Sequence, residues 1–218
     1  MTQEWHFQLK SKLGPIPSDR PGGREQSAVS LILKPHQETG GPEIVFIKRA
    51  ERSDDPWSGH MAFPGGRRHR EDQSIVQTAI RETYEEIGLQ LSGHEALGAM
   101  AAYSPKVSPG LSVHPHLFFI HDVPSLKLDP KEVEEVHWVP VEQAFDSSAF
   151  TQRPHTFRGM TLSLPSFSFD IKDRHIWGVT YVIFLDFLYA LAETDWGQQL
   201  CRERNFTPKE IWEYRPYR

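Results

Sequence analysis

The chain has 218 residues, with 24 Lys and Arg against 29 Asp and Glu, a formal charge of −5 at neutral pH. That balance excludes a strongly basic nucleic-acid wrapper. A single cysteine, Cys201, excludes an internal disulfide and cysteine-rich zinc ligation. Hydrophobic residues at 38% and aromatic residues at 11% suffice for a folded core and exclude wholesale disorder.

Residues 1–13, MTQEWHFQLKSKL, have no apolar h-region and no small-residue cleavage site. They are not read as a signal peptide, and the expected location is cytoplasmic. Residues 14–27 are rich in Pro, Gly and polar residues, so 1–27 reads as an N-terminal arm and loop. The runs 28–34 and 43–49 are β-rich and flank a turn-forming PHQETGG, which predicts a hairpin. Residues 52–59 read as loop and 60–63 as a short strand ending at Pro64-Gly65-Gly66. Polar residues 67–74 read as loop.

A helix is expected from Ser74, capped by Asp72 or Ser74. Its apolar face is Ile75, Val76, Ala79, Ile80, Thr83 and Ile87, and Gly88 supplies the stop. Residues 95–103, 113–121 and 135–139 are strand-like, and Pro140 opens a short helix. Residues 155–170 read as a hairpin. The run 176–192 is 17 residues long, the short limit for a membrane span, but Asp186 lies inside it. A central Asp costs about 2.5–3.5 kcal/mol on insertion, so a buried helix of a soluble domain is expected. Strands and helices interleave without a regular βαβ rhythm, which favours an α+β fold. Residues 28–192 form the expected main domain, and 193–218 a C-terminal tail packed on or beside it.

The chemistry concentrates in residues 65–89, GGRRHREDQSIVQTAIRETYEEIGL. On the predicted helix Glu82, Glu85 and Glu86 stand at i, i+3 and i+4, which puts three carboxylates on one face. Like charges so placed destabilise a helix unless a cation neutralises them. Oxygen ligands suit Mg²⁺, Mn²⁺ or Ca²⁺ rather than zinc. The alternative is a solvated acidic stripe in which Arg81 pairs with Glu85.

With the preceding Phe63-Pro64-Gly65-Gly66, this stretch resembles the Nudix box, G-x5-E-x7-R-E-U-x-E-E-x-G-U with U apolar. Arg81, Glu82, Thr83, Glu85, Glu86, Gly88 and Leu89 match its second half, with Thr83 at an apolar position. Fourteen residues separate Gly66 from Arg81 where the box has thirteen, and Asp72 best matches the box's first Glu. The longer loop and the run Thr78-Ala79-Ile80-Arg81-Glu82 look like the coenzyme A diphosphatase branch. Residues 46–50, 58–66 and Ile176-Trp177-Gly178-Val179-Thr180 are similar to that branch's further signatures. A second Arg of its signature is missing, and Asp54 and Asp55 stand near its place.

The resemblance implies a Nudix fold, a mixed sheet flanked by helices (an α/β/α sandwich) with a C-terminal helical extension. It implies hydrolysis of a diphosphate bond with Mg²⁺ or Mn²⁺ as cofactor, most directly of coenzyme A or acyl-coenzyme A to 3′,5′-ADP and (acyl-)4′-phosphopantetheine. ADP-ribose, nucleotide sugars and nucleoside triphosphates are the alternative substrates. A Nudix-fold binding module without activity is a second alternative. Glu82 and Glu86 are the expected metal ligands, with Glu85 a third ligand or the base and the Gly65 carbonyl completing the shell. Arg81 is expected to hold a Glu carboxylate. Arg49, Arg67, Arg68 and Arg70 are candidates for substrate binding. One of Glu132, Glu134 and Glu135 is a candidate for a further ligand or base, against a solvated reading. Trp57, Phe167 and Trp177 are read as packing residues. The partner is a small nucleoside diphosphate derivative, with no nucleic acid and no membrane, and a homodimer is left open.

Overall fold

In the computed structural model, residues 4–16, 25–53, 55, 57–105, 108–157, 159–169, 174–207 and 209 are described. The parts of the expected arm and tail at 1–3, 17–24, 208 and 210–218, and Asp54, lie outside them.

Two strands with alternating side chains set the frame. In β1 (Glu25–Pro35) and β2 (Pro42–Arg49), Leu31, Leu33, Ile44 and Phe46 enter one hydrophobic cluster. Their neighbours Ala28, Ile32, Val45 and Ile47 enter a second. This is the period of two expected of a strand buried on both faces. β1 and β2 form the predicted hairpin, pairing antiparallel from Leu33↔Ile44 to Pro35↔Pro42. The main sheet adds β3 (Met61–Ala62), β4 (Gly65–Arg67), β5 (Ala96–Ala99), β6 (Leu111–Phe119) and β7 (Val133–Pro140). Its order is β3-β2-β1-β6-β5, with β4 also on β1 and β7 also on β2; β1 and β6 are parallel.

α2 (Ile75–Ile87) covers one face through Ile75, Ala79 and Ile87. Of the two expected caps, Ser74 serves: its Oγ accepts from the Gln77 N–H at 3.2 Å. Gly88 closes the helix at φ 70°, in the left-handed region.

The other face is covered by α3 (Gly178–Ala192) and a second sheet, β8 (Phe150–Phe157), β9 (Met160–Ser168) and β10 (His175–Trp177), in the order β10-β9-β8. Phe184 of α3 lies 5.1 Å from Phe167 and 5.6 Å from Phe46, centroid to centroid. Phe167 is thus core. Tyr181, Phe184, Phe187, Leu188 and Leu191 are all buried, so the apolar run is an interior helix. Among the described residues, no helix is long and apolar enough to cross a membrane. The layers are therefore helix, sheet, then helix with a second sheet, the α+β arrangement anticipated.

Several elements were not anticipated. Within the expected arm, Trp5–Lys12 form α1, which buries Trp5 and Leu9. The Trp5 indole N–H donates to Gly40 O at 3.1 Å. In the tail, Asp195–Glu203 form α4, and Gln8 and Asp195 exchange two hydrogen bonds of 2.7 Å that tie α1 to α4. Gly65–Arg67, read as the end of a strand and the first residue of a loop, form β4. Backbone pairing to β1, rather than side-chain pattern, makes it a strand.

Candidate active site

The two glycines of β4 bring the strand close to both its neighbours. Gly65 pairs with Val29 at φ 149°, and a Cβ there would lie 2.2 Å from Ala28 O. Gly66 pairs with Ala28, and a Cβ there would lie 2.5 Å from both Cδ and Oε2 of Glu82. Absent side chains therefore allow the strand to abut the carboxylate-bearing face of α2.

Glu82 and Glu86 are the carboxylates on that face, and both are buried. The Gly65 N–H donates to Glu86 Oε2 at 2.8 Å. Burial pushes the Glu86 carboxyl up to about 8, against the opposing pull of that N–H and of Arg49. Burial also raises Glu82, with Arg81 opposing. Glu132, in the loop before β7, raises both by its charge, which places a fourth carboxylate near the pair.

The expectation that three carboxylates share one face needs correction. At ~100° per residue Glu86 lies about 40° from Glu82 around the helix, and Glu85 about 60° the other way. Glu86 is consequently 1% exposed, whereas the Glu85 side chain is 50% exposed.

Arg81 organises the loop. Its Nε and Nη2 donate to Asp72 Oδ1 and Oδ2, each at 2.9 Å, a two-pronged pair. Its Nη1 reaches Glu82 Oε1 at 2.9 Å and Glu85 Oε2 at 2.8 Å, and Nη2 also reaches Arg67 O at 3.0 Å. Burial works to raise the Asp72 carboxyl. Arg81, the His69 N–H and the Thr78 hydroxyl together hold it down at about 2. The shorter acid at this position is thus fully engaged by Arg81, and Thr78 adds a buried hydrogen bond of 2.9 Å.

Arg49, at the end of β2, enters from the other side. It donates to Asp55 Oδ2 from Nη2 at 2.6 Å and from Nε at 3.1 Å, and its Nη1 lies 3.9 Å from Glu86 Oε1. Asp55, near the place of the missing arginine, therefore braces Arg49 beside the carboxylates. The other three arginines are not gathered there. Arg67 pairs with Glu25 at 2.9 Å in an exposed bridge, Arg68 donates to Gln26 Oε1 and Asp72 O, and Arg70 is exposed. Glu134 pairs with Lys48 at 2.7 Å. Glu135 is bound by Arg174 and His137 and held at about 2, chiefly by Arg174.

Sequence reasoning missed Ser30. Its N–H donates to Pro64 O at 2.8 Å, and its hydroxyl donates to Ala79 O at 3.1 Å. Thr83 Oγ1 lies 2.8 Å from both Ser30 Oγ and Ala79 O. Both residues are fully buried, so this hydroxyl contact staples β1, and with it the Pro64-Gly65 turn, to α2. Thr83 at an apolar position of the box thereby has a structural reason. The available signal was a lone hydroxyl in the apolar run 28–33.

Among the described residues, no three His, Cys, Asp or Glu side chains close into a metal-holding group. The donor chemistry still fits a hard divalent cation. Two buried carboxylates one turn apart lie against a strand whose missing Cβ lets the Glu82 carboxylate approach the Gly66 backbone, and Glu86 is too buried to carry its charge uncompensated.

Comparison with known proteins agrees with this geometry. Residues 24–158 match the NUDIX domain family, well over half of the chain. An uncharacterized protein of Schizosaccharomyces pombe is 33% identical over 154 residues, 62% of this chain and 47% of that one. A peroxisomal coenzyme A diphosphatase of Caenorhabditis elegans is 31% identical over 138 residues, 62% of this chain and 57% of that one. The chain thus spans about half the length of these two relatives. The mitochondrial coenzyme A diphosphatase NUDT8 of Homo sapiens is 30% identical over 187 residues, 82% of this chain and 75% of that one. The matched span contains β4, α2, Arg49 and the paired carboxylates Glu82 and Glu86, and the chain belongs to the NUDIX domain family.

Proposed function

We propose that the chain hydrolyses the diphosphate of coenzyme A or an acyl-coenzyme A in a Mg²⁺- or Mn²⁺-dependent reaction, with residues 28–192 as the hydrolase domain. The observation that carries the reading is the juxtaposition of buried Glu82 and Glu86 with Gly65 and Gly66, flanked by Arg49. The diphosphatase names of the C. elegans and human relatives support the substrate.

Glu82 and Glu86 would hold the cation. Bound there, it would neutralise diphosphate oxygens and make water acidic enough to attack phosphorus at neutral pH. The chain's own residues do the rest. Arg81 fixes the Glu82 carboxylate and ties the loop through Asp72. Arg49 offers a guanidinium to an anion arriving beside Glu86. Glu132 and Glu85 are the candidates for taking the proton from the attacking water. Water attack breaks one phosphorus–oxygen bond of the diphosphate and releases 3′,5′-ADP and 4′-phosphopantetheine, or its acyl thioester.

A panel of coenzyme A, acyl-coenzyme A, ADP-ribose, a nucleotide sugar and a nucleoside triphosphate, scored for phosphate monoester release, tests the assignment. Coenzyme A should lead. A clear preference for ADP-ribose or a nucleotide sugar would move the chain to another substrate, and no turnover on any would favour a binding module. We keep a cytoplasmic location as a proposal. Imaging of the tagged chain tests it, and a peroxisomal or mitochondrial location would replace it.

A further inference from the structure

We propose that the concave face of the β8–β9 hairpin, built on Arg153 and His155, is an anion subsite for a phosphate monoester. In the ladder His155 lies opposite Leu162, yet its Nε2 reaches Ser166 Oγ at 2.7 Å, four residues farther along β9. A flat sheet would separate those positions by roughly 13 Å. The hairpin therefore curls, and the side bearing Arg153, His155 and Ser166 is its hollow side. β10 continues this hollow. Trp177 stacks on His155 at 4.3 Å and 20°, His175 lies 5.1 Å from His155, and His60 meets Trp177 at 4.7 Å from the edge of the main sheet.

The groups in this hollow are cationic or potentially so. Arg153 Nε is buried without a hydrogen-bond partner among the described residues. A buried donor left unmade is costly, and an anion would satisfy it. The Ser166 hydroxyl donates to Leu164 O at 3.2 Å, so it accepts from the His155 Nε2–H and leaves Nδ1 able to take a proton. Burial first, then His175, His60 and Arg153, push the His155 imidazole down to about 4. Arg153 is charged, and a proton on either neighbouring imidazole would add to the push. His60 is also lowered by burial, with Asp55 opposing and Arg49 and His175 adding to the push. Asp55 is already held by Arg49, and beyond His175 the Arg174 side chain is held by Glu135. Five nitrogen-bearing side chains, Arg49, His60, His175, His155 and Arg153, thus run outward from Glu86.

The row begins at the carboxylate site: Arg49 Nη1 lies 3.9 Å from Glu86 Oε1, and the Arg49 backbone N–H donates to His60 O at 3.0 Å. An anion carried by a substrate whose diphosphate sits at Glu82 and Glu86 can therefore extend along it. Resting on the coenzyme A reading above, the occupant is the 3′-phosphate. This gives the phosphate a home other than the loop of Arg67, Arg68 and Arg70.

The test uses the full chain in EDTA, so that metal-dependent binding does not contribute. Inorganic phosphate is titrated while the imidazole NMR signals are followed, and then 3′,5′-ADP is compared with 5′-AMP by calorimetry. Phosphate should shift the His155 signals. Arg153→Ala should weaken phosphate binding about tenfold, and Arg153→Lys should retain most of it, which separates loss of charge from loss of fold. 3′,5′-ADP should bind about tenfold tighter than 5′-AMP in the wild type and equally in Arg153→Ala. Unchanged phosphate affinity in a folded Arg153→Ala protein overturns the subsite. Loss of the nucleotide preference in an Arg67→Ala, Arg68→Ala, Arg70→Ala triple variant instead of in Arg153→Ala also overturns it. If phosphate binds through Arg153 but the two nucleotides bind alike, the assignment to the substrate's phosphate is wrong. Metal-dependent turnover of the panel tests the hydrolase reading separately.

Discussion

Two adjacent glycines should fail in different ways when each is replaced by alanine. At Gly66 the new Cβ would meet the Glu82 carboxylate at 2.5–2.7 Å. Restoring ordinary contact near 3.5 Å moves that carboxylate by roughly 1 Å. The obstacle is the end of a flexible side chain, so the backbone need not shift. The fold should lose at most about 1 kcal/mol through a weakened Arg81–Glu82 bond, or ~2–4 °C in Tm. Displacing a catalytic group by about 1 Å can cost ~10²-fold in rate, about 2.7 kcal/mol in activation energy. At Gly65 the Cβ would strike the β1 backbone, 2.2 Å from Ala28 O and 2.7 Å from Val29 Cα, at a φ of 149°. Backbone cannot rotate away, and strain of ~1–3 kcal/mol adds to the clash, so Gly65→Ala should lower Tm by well over 4 °C. Initial rates of monoester release at saturating Mg²⁺, with thermal unfolding of the metal-free proteins, measure both. A Gly66→Ala protein that turns over at the wild-type rate would show that Glu82 does not act from its place against β4. Equal losses of Tm in the two variants would contradict the backbone-versus-side-chain distinction.

Glu82→Gln and Glu86→Gln should each lower kcat ~10²-fold or more. Glu86→Gln should leave metal-free stability at pH 7 undiminished, because burial raises the Glu86 carboxyl to about 8, so it is already largely neutral there, and a Gln oxygen can still accept from the Gly65 N–H; a large fall in Tm would refute that. EDTA should abolish turnover and added Mg²⁺ or Mn²⁺ should restore it, whereas full activity in metal-free buffer would end the metal account. Asp72 is held below its ordinary value, so its pairing with Arg81 stabilises the fold above pH ~4 and is lost as pH falls towards about 2. Asp72→Asn should flatten that part of an acid-unfolding profile, and an unchanged profile would assign the acid sensitivity elsewhere. Thr83→Val should lower kcat through the shifted turn more than Thr83→Ser, which keeps the hydroxyl facing Ser30; equal rates would make the staple irrelevant to catalysis.

The helix was legible because several local signals agree over 74–88: cap, apolar spacing and a glycine stop. The hairpins were legible for the same reason. What escaped was set by contacts distant in sequence. β4 is a strand only because β1 lies beside it, and α1 buries just Trp5, His6 and Leu9, too few for a helical period. At the site, the i, i+3, i+4 spacing identified the acidic cluster but not which carboxylates are buried. That depends on where α2 meets Gly65 and Gly66. Asp55 and Ser30 act across loops and strands, Asp55 on Arg49 and Ser30 on Thr83, 53 positions away. No local pattern could pair them.

The central claim is that the paired carboxylates serve coenzyme A's diphosphate. Separating the products of a Mg²⁺-supported reaction with coenzyme A tests it most directly. The account predicts 3′,5′-ADP and 4′-phosphopantetheine in equal amounts, ~10²-fold less of both with Glu86→Gln, and a kcat/KM well above that for ADP-ribose. Intact coenzyme A alongside rapid cleavage of ADP-ribose or a nucleotide sugar would contradict it.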